Sequence, residues 1–441
     1  MIQFNNKRGS STVFLAIILP ALAAVCLTLI FTSREETVIS RTDAIARLAS
    51  ESILSEFDYD VQKDYGIFMM KGSDDELSNK LRNYVLYSTD SMKDVELTSA
   101  NATGGQFSVM NLDSVREQII AYAKMTLDKT ILQEAAGTGS GGPSQNSSGS
   151  SSGHDVPASG ENGNSGGDGA APDSGAVRPA RALCHGPTIT SLPSKLLPDK
   201  SLYEAAKEFG ENLSNITAIF NTGSRKFLFD SYVLQEFDNC LSVRGEGNET
   251  DPHFFRSEVE YILSGKLSDK DNEKKTDNAL KALRFGPNLA FLYADPDKQK
   301  ALAAAAELLT PGPAAVATQL ALSSAWALAE AVNDVKLLHE GRRVPMFKTS
   351  ETWATNLDNV IEEIDAGVIH PDVESGFDYQ QYLRVLLFVK DETIKTARML
   401  DLIQINMRQN CKGDFLVQEY FTGLSTELTV NDRGLHYAWE Y

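Results

Sequence analysis

One uncharged apolar segment near the start of the chain constrains the fold more than any other feature. It runs from Gly9 to Ser33 (GSSTVFLAIILPALAAVCLTLIFTS), after Lys7 and Arg8 and directly before Arg34. A helix that crosses a bilayer needs about 20 mostly apolar residues, so this segment is long enough to span a membrane. Basic residues before the span and few after it predict a cytoplasmic N-terminus and an extracytoplasmic remainder.

A cleaved secretory signal is the alternative interpretation of this segment. Ala21, Leu22 and Ala23 form the small-x-small pattern of a cleavage site behind a basic start. Apolar residues nevertheless continue through Leu29, Ile30 and Phe31, past the point where a signal would end. We therefore favour a retained anchor, which predicts a single-pass protein of the cell membrane with the lipid bilayer as one partner.

Charge and cysteine content exclude several classes of protein. The formal net charge is -19, and no basic stripe of the kind that neutralises phosphates is present, so nucleic acid is not an expected partner. Outside the span, Cys184, Cys240 and Cys411 lie far apart without C-x-x-C spacing, which argues against a zinc knuckle. They fit either one disulfide with a spare thiol or three free thiols.

The rest of the chain predicts a mainly α fold in four parts. Residues 1–33 form a cytoplasmic stub and transmembrane anchor, and residues 34–136 a rod with a small α+β region. Residues 137–182 are rich in Gly and Ser and offer almost nothing to bury, which predicts a disordered linker. Residues 183–441 form a mostly helical extracytoplasmic domain that ends in a β-hairpin.

Helical spacing continues beyond the span. Val38, Ile45, Leu48, Ser52 and Ile53 form a stripe, and no Pro or Gly interrupts the chain before residue 63, so the membrane helix is expected to continue outward as an amphipathic rod. The stripe fits packing against neighbouring subunits and packing against its own domain equally well.

Shorter patterns predict the remaining elements. Alternation around Gly104 and Gly105 predicts a small hairpin from strands 95–99 and 106–110. Helices are expected over 76–87, 113–135, 203–219, 226–241, 254–263, 278–294, 298–309, 314–338, 349–363 and 379–407, and a terminal hairpin over 426–441. Residues 311–332 raise the question of a second crossing, but their apolar content is mostly Ala, which favours a buried core helix.

No catalytic motif and no metal-ligand spacing stands out, and the six histidines are scattered. The sequence therefore predicts no enzyme activity, no cofactor and no metal site. The best acidic constellation is Glu330 with Asp334, one helical turn apart, with His339 and Glu340 beyond it. The two carboxylates could share a metal or a proton, or pair with nearby basic residues, which are Lys336, Arg342 and Arg343.

Another acidic pair, Glu258 and Glu260, is expected to point to different sides of a helix and not to act together.

The N-terminal run KRGSSTVFLAIILP resembles the start of TadE/TadG-like proteins, which are small bitopic proteins of the tight-adherence (Tad) pilus machinery. Phe14 stands where the pattern of that family has Glu. The resemblance implies possible processing by a prepilin peptidase between Gly9 and Ser10.

The rest of the chain resembles an uncharacterised family of large envelope proteins found beside Tad pilus genes in Gram-positive bacteria. The matching stretches are RLASESILSEFDYDVQKDYGIF, FFRSEVEYILSGKLSDKDN, WALAEAVNDVKLLHEGRRVPMFKTSETW, DYQQYLRVLLF and MLDLIQINMR. Together the two resemblances imply a non-enzymatic minor pseudopilin or assembly component of a Tad-like pilus or secretion apparatus, with protein partners in that assembly.

Two other functions are compatible with the same sequence. A surface binding or sensory module would hold a wall polymer, a small molecule or a protein in a pocket lined by aromatic residues, namely Trp326, Trp353, Tyr379 and Tyr382. An extracytoplasmic hydrolase would instead require Glu330, Asp334 and a histidine to converge in one cleft.

Overall fold

The computed structural model describes residues 8–90, 92, 95–137, 192–213, 216–242, 253–357, 360, 367–410 and 413–441. It is mainly helical, as the sequence predicts, with a long apolar helix at the N-terminus and a β-hairpin at the C-terminus. The chain divides into two compact units, Met1–Val115 with Val417–Tyr441, and Arg116–Leu416. Nearly all of the predicted Gly/Ser linker lies outside the described residues.

The first unit combines the N-terminal helices with strands from both ends of the chain. Its helices are α1 (Arg8–Leu54), α2 (Tyr59–Tyr65) and α3 (Asp74–Thr89). Its strands are β1 (Met70–Lys71), β2 (Leu97–Thr103), β3 (Tyr420–Phe421), β4 (Gly423–Val430) and β5 (Arg433–Glu440).

Helix α1 changes its environment along its length. Its apolar residues from Phe14 to Phe31 are exposed, and the helix is long and apolar enough there to cross a membrane. Further along, Ala46 and Ile53 are buried in a core with strand β4. The predicted stripe therefore divides: Ile53 packs on its own unit, whereas Leu48 is 62% exposed.

The rod ends earlier than the sequence predicts. Helix α1 stops at Leu54, and Asp58 begins a new helix because its side chain accepts a hydrogen bond from Val61 N at 3.3 Å. The backbone N–H of Asp58 also donates to Met69 O at 2.8 Å, so a hydrogen bond to a residue outside both helices stabilises the break between α1 and α2. An N-cap and a tertiary contact end the helix here without any Pro or Gly.

The predicted hairpin around Gly104 and Gly105 is wrong. Strand β2 instead pairs with β4 from the far end of the chain, in an antiparallel sheet of order β2-β4-β5. The prediction used residues 100–105 as the turn, but residues 100–103 continue strand β2 and residues 105–107 form a 3₁₀ turn. Gly104 is needed for close packing, since a Cβ atom there would lie 2.3 Å from the ring of Phe421.

The predicted terminal hairpin is confirmed. Strands β4 and β5 pair from Gly423 with Glu440 to Val430 with Arg433. Both turn residues, Asn431 and Asp432, have positive φ, as a type I′ turn requires. This hairpin belongs to the first unit, whereas the sequence assigned it to the helical domain, because the sequence does not show that β2 is its partner.

The described part of the second unit is mainly helical. Its helices are α4 (Leu112–Gly137, which starts in the first unit), α5 (Leu202–Glu211), α6 (Ile216–Ile219), α7 (Arg225–Glu236), α8 (Glu258–Ser264), α9 (Asp269–Ala294), α10 (Pro296–Leu309), α11 (Ala315–His339), α12 (Tyr379–Val389) and α13 (Glu392–Asn410). The helix predicted over 113–135 is confirmed and now belongs mostly to this unit.

Three predicted helices in this unit differ from the structure. The helix expected over 203–219 is interrupted, since α5 ends at Glu211 and α6 covers Ile216–Ile219. The helix expected over 379–407 is two helices, because Asp391 accepts hydrogen bonds from Thr393 N and Ile394 N and starts a new helix. The described residues of the helix expected over 349–363 are mostly turn and irregular backbone. There Ala354 N and Thr355 N donate to Glu330, so these donors bind a side chain instead of a helical carbonyl.

Helix α13 lies at the centre of the second unit. Its residues from Thr396 to Met407 are buried, although many are polar. Three of its charged side chains reach other segments: Lys395 pairs with Asp230, Arg398 donates to Asp199 and to the carbonyls of Ile262 and Leu263, and Asp401 accepts from Tyr261 and from Ser194 N. Helix α13 therefore connects most of the segments that surround the candidate site.

Helix α11 is buried in its C-terminal half. Trp326 and Ala327 belong to a hydrophobic cluster with Leu292, Leu302 and Trp353. Its N-terminal half is open, and Val316 is 73% exposed. The helix meets the length and composition of a membrane span, but one third of the relevant window is buried within the protein. The burial supports the core-helix interpretation for the C-terminal half.

Candidate functional site

The predicted acidic pair lies in the interior of the second unit and is fully paired. Glu330 and Asp334 lie one turn apart on α11, and both are completely buried. Lys348 Nζ lies 2.6 Å from a carboxylate oxygen of each. Arg284 Nε donates to Asp334 at 3.0 Å, and Asn288 Nδ2 donates to the same oxygen at 3.1 Å. Two cations therefore balance two carboxylates.

The electrostatics of this pair indicate a structural role. Burial alone raises the pKa of Asp334, but Lys348 and Arg284 together hold it below its usual value. The carboxylate is thus kept charged and hydrogen-bonded. A group that neither exchanges a proton nor reaches solvent has no evident chemistry to perform.

The other members of the predicted constellation lie with different partners. His339 Nε2 lies 2.8 Å from Asp277 Oδ1, and Glu340 lies 3.6 Å from His370. Arg342, one of the proposed basic partners, pairs with Glu374. The constellation therefore does not converge on one cleft.

The aromatic residues proposed as a pocket lining belong to the core. Trp326 and Trp353 are nearly buried and pack edge to face, with ring centroids 5.6 Å apart. Tyr382 is completely buried, and its hydroxyl donates to Val344 O. These side chains fill the interior and do not line an open pocket.

A second acidic cluster, which the sequence interpretation dismissed, surrounds helix α8. Glu258 and Glu260 do lie on different sides of the helix, but the whole helix is buried, so both carboxylates are inside. The turn at 238–240 docks on α8 through Val259 N, which donates to Asp238 O at 3.0 Å. This contact brings a turn far away in sequence against both glutamates.

Glu258 is the centre of a hydrogen-bonded group. It accepts from Asn406 Nδ2 at 2.8 Å and from Asp238 N at 3.2 Å. His253 Nδ1 lies 2.9 Å from its carboxylate. One ligand-type atom from each of Asp238, His253 and Glu258 lies within 4.8 Å of the others.

Glu260 lies in a drier environment. Its Oε1 accepts from Tyr379 OH at 2.8 Å and from Cys240 N at 3.2 Å. Burial raises the pKa of this carboxyl to about 7. The Cys240 thiol donates to Tyr379 OH at 3.4 Å, and burial raises the pKa of the thiol above its ordinary value. Cys240 is a free cysteine; Cys184 and Cys411 lie outside the described residues.

The sequence carried only a weak signal for this cluster. His253 and Glu258 are five residues apart, which is no standard ligand spacing on one helix, and Asp238 comes from a separate turn. The remaining predicted site, Gly9 and Ser10, lies in the first turn of α1, where side chains are described only from Phe14 onward.

Comparison with known proteins gives a family but no function. A family of unknown function (DUF5702) matches residues 187–432, a range that contains both acidic clusters. No curated protein and no solved structure matches the chain. Because the match spans more than half of the 441 residues, this chain belongs to the DUF5702 family of unknown function.

Proposed function

We propose that the protein is a membrane-tethered, non-enzymatic component of an extracytoplasmic envelope assembly, with a minor pseudopilin of a Tad-like pilus as the specific form. The main observation behind the proposal is that the two halves of α1 have different surroundings. One continuous helix has an exposed apolar half and a second half that is built into the core of a folded unit.

The exposed half of α1 supports a bilayer as its surroundings. Leu19 and Leu29 are both 65% exposed, and no Asp, Glu, Lys or Arg occurs between Gly9 and Ser33. Apolar surface of this extent is unfavourable in water and favourable in lipid. Lys7 and Arg8 before the span support an N-terminus in the cytoplasm and a folded chain outside.

The buried half of α1 supports a mechanical role for the anchor. Ser50 Oγ lies 2.9 Å from Thr426 Oγ1 in strand β4, and Ala46, Ile53 and Leu424 share one core. A helix held in this way transmits its position in the membrane directly to the first unit. That property suits a subunit whose place in an assembly is set by its membrane helix.

Membrane association is tested by charges on the exposed half. Leu22→Arg with Val25→Arg replaces two exposed side chains near the middle of the span, at a cost of about 5–7 kcal/mol for insertion. We expect the variant to leave the membrane fraction, whereas Leu48→Arg with Ser52→Arg, on the exposed side of the same helix beyond the span, stays there. Equal fractionation of both variants would contradict an anchor.

The pseudopilin form is tested by processing and by crosslinking. Intact-mass analysis of protein from its native membrane is expected to show a chain that begins at Ser10. A photo-crosslinking residue at Leu48 should give adducts with other envelope subunits, and one at Tyr87, which is 89% exposed on α3, should not. A chain that retains Met1 and gives no Leu48 adduct would reject the pseudopilin form. The proposal of a membrane tether would still stand.

A further inference from the structure

We propose that Asp238, His253 and Glu258 bind one divalent cation of the zinc or manganese class. Their three ligand atoms already lie within 4.8 Å of one another. A cation with ligand distances of about 2 Å holds its ligands roughly 3.4 Å apart in a tetrahedral site, so small side-chain movements are sufficient. His253 Nδ1 and the Glu258 carboxylate, at 2.9 Å, already lie near this separation.

The surroundings of Glu258 hold the ligands in position. Asn406 on the central helix α13 donates through Nδ2 to Glu258 Oε1 at 2.8 Å and accepts through Oδ1 from Phe254 N at 2.9 Å. One buried amide therefore fixes both the carboxylate and the backbone next to His253. Hydrogen bonds of this kind orient ligand carboxylates in metal sites.

A second buried carboxylate lies on the other side of the same helix, and one of its oxygens lacks a donor among the residues that the structure describes. Glu260 lies two residues along α8 and is completely buried. It accepts from the same 238–240 turn that donates to Glu258. Its Oε2 is buried and has no hydrogen-bond partner among the described residues. A buried carboxylate oxygen without a donor is costly, and a nearby cation reduces that cost.

The contrast with the other acidic cluster supports a cation here. At Glu330 and Asp334 the chain supplies Lys348 and Arg284 as internal counter-charges. In the described part of the chain, neither Glu258 nor Glu260 has a Lys or Arg within ion-pair distance. The ion-pair partner of Glu258 is the His253 ring, which is charged only when it is protonated.

The ligand set indicates which cation fits and how it enters. One imidazole with two carboxylates suits zinc or manganese, whereas calcium and magnesium prefer oxygen ligands alone. The His253 side chain is 23% exposed, so the group is accessible from solvent. Three protein ligands leave at least one coordination position for water or for an oxygen of a bound molecule.

Calorimetric titration of the full chain tests the proposal. The protein is purified in detergent without a histidine tag, stripped with a chelator and titrated with zinc chloride, manganese chloride or calcium chloride at about neutral pH. We expect one zinc or manganese ion per chain and weaker binding of calcium. His253→Ala, at a partly exposed position, should reduce the affinity about a hundredfold, and Asp238→Asn by at least about tenfold.

Matched variants separate this site from other zinc-binding groups. His339→Ala removes another partly buried histidine–carboxylate pair of the same unit, and Cys240→Ser removes the neighbouring thiol; both are expected to keep the affinity of the unmodified chain. Circular dichroism verifies that each variant is folded. The proposal is overturned by the absence of saturable binding, by wild-type affinity in His253→Ala, or by loss of binding in Cys240→Ser or His339→Ala.

Discussion

At the scale of single residues, sequence spacing identified neighbours but not partners. Glu330 and Asp334 are four residues apart on a helix, so their position on one face could be predicted. Their cations, Lys348 and Arg284, come from other segments, 14 and 50 residues from Asp334, and no spacing rule connects such positions. The same limit explains why the Asp238, His253 and Glu258 group was missed.

The buried ion cluster makes a residue-scale prediction about stability. Lys348→Met leaves two buried carboxylates with Arg284 as their cation and should destabilise the protein by about 3–5 kcal/mol. Urea unfolding followed by tryptophan fluorescence measures this, because Trp326 and Trp353 lie close by in the same unit. Lys300→Met, which breaks an exposed pair with Asp297, should cost less than about 1 kcal/mol. Equal losses in the two variants would show that the buried cluster is energetically unimportant.

A second residue-scale prediction concerns pH. His339 Nε2–H donates a hydrogen bond to the Asp277 carboxylate, which raises the pKa of the ring, while burial opposes the shift. Glu273 on α9 and Glu260 on α8 act in the same direction, and the Tyr379 ring on α12 packs 5.3 Å away.

Because the folded pKa of His339 is raised, this contribution to stability is complete below the unfolded value near 6.5 and is lost as pH rises through the folded pKa. His339→Gln should therefore lose up to about 1 kcal/mol at about pH 5.5 and little at about pH 8.5. His370→Gln, at the more exposed pair with Glu340, is the matched control. A difference from wild type that is constant with pH would reject the explanation.

At the scale of elements, apolar periodicity predicted most helices, while their ends depended on local caps and distant contacts. The separate starts at Asp58 and Asp391 show that one side-chain acceptor can divide a continuous helical pattern. Helix α13 shows the other limit. Its polar residues are buried as well as its apolar ones, and Lys395, Arg398 and Asp401 have partners in other segments, which the sequence does not show.

The crossing of α5 and α9 gives an element-scale prediction. Gly286 lies against the backbone of α5, and a Cβ atom there would lie 2.6 Å from Gly210 O. Backbone atoms cannot move aside as a flexible side chain can, so Gly286→Ala should force the helices apart and destabilise the protein by about 1–3 kcal/mol. Gly434→Ala, with no atom within 4 Å of the added Cβ, should change stability by less than about 0.5 kcal/mol. Thermal unfolding measures both, and an unchanged Gly286→Ala would contradict this packing.

At the scale of the whole molecule, the order of domains along the chain could not be read from the sequence. The predicted division placed everything after the linker in one domain, but Val417–Tyr441 belongs with the N-terminal residues. The second unit is thus inserted between the two parts of the first. Strand alternation predicted that β4 and β5 pair, yet pairing of Ala100 with Leu428 depends on long-range packing that periodicity does not encode.

This arrangement predicts how damage at the C-terminus spreads. Leu424 in β4 is completely buried in the core that contains Ala46, Ile53 and Ala102. Leu424→Asp places a charge in that core, so β2 and residues 46–54 of α1 should lose their protection from hydrogen exchange. Helix α13, in a different core, should keep its protection, and Leu48→Asp at an exposed position should change neither region. If the amides of α13 exchange as fast as those of β2 in Leu424→Asp, the two units do not have independent stability. If β2 stays protected in that variant, the C-terminal strands do not support the first unit.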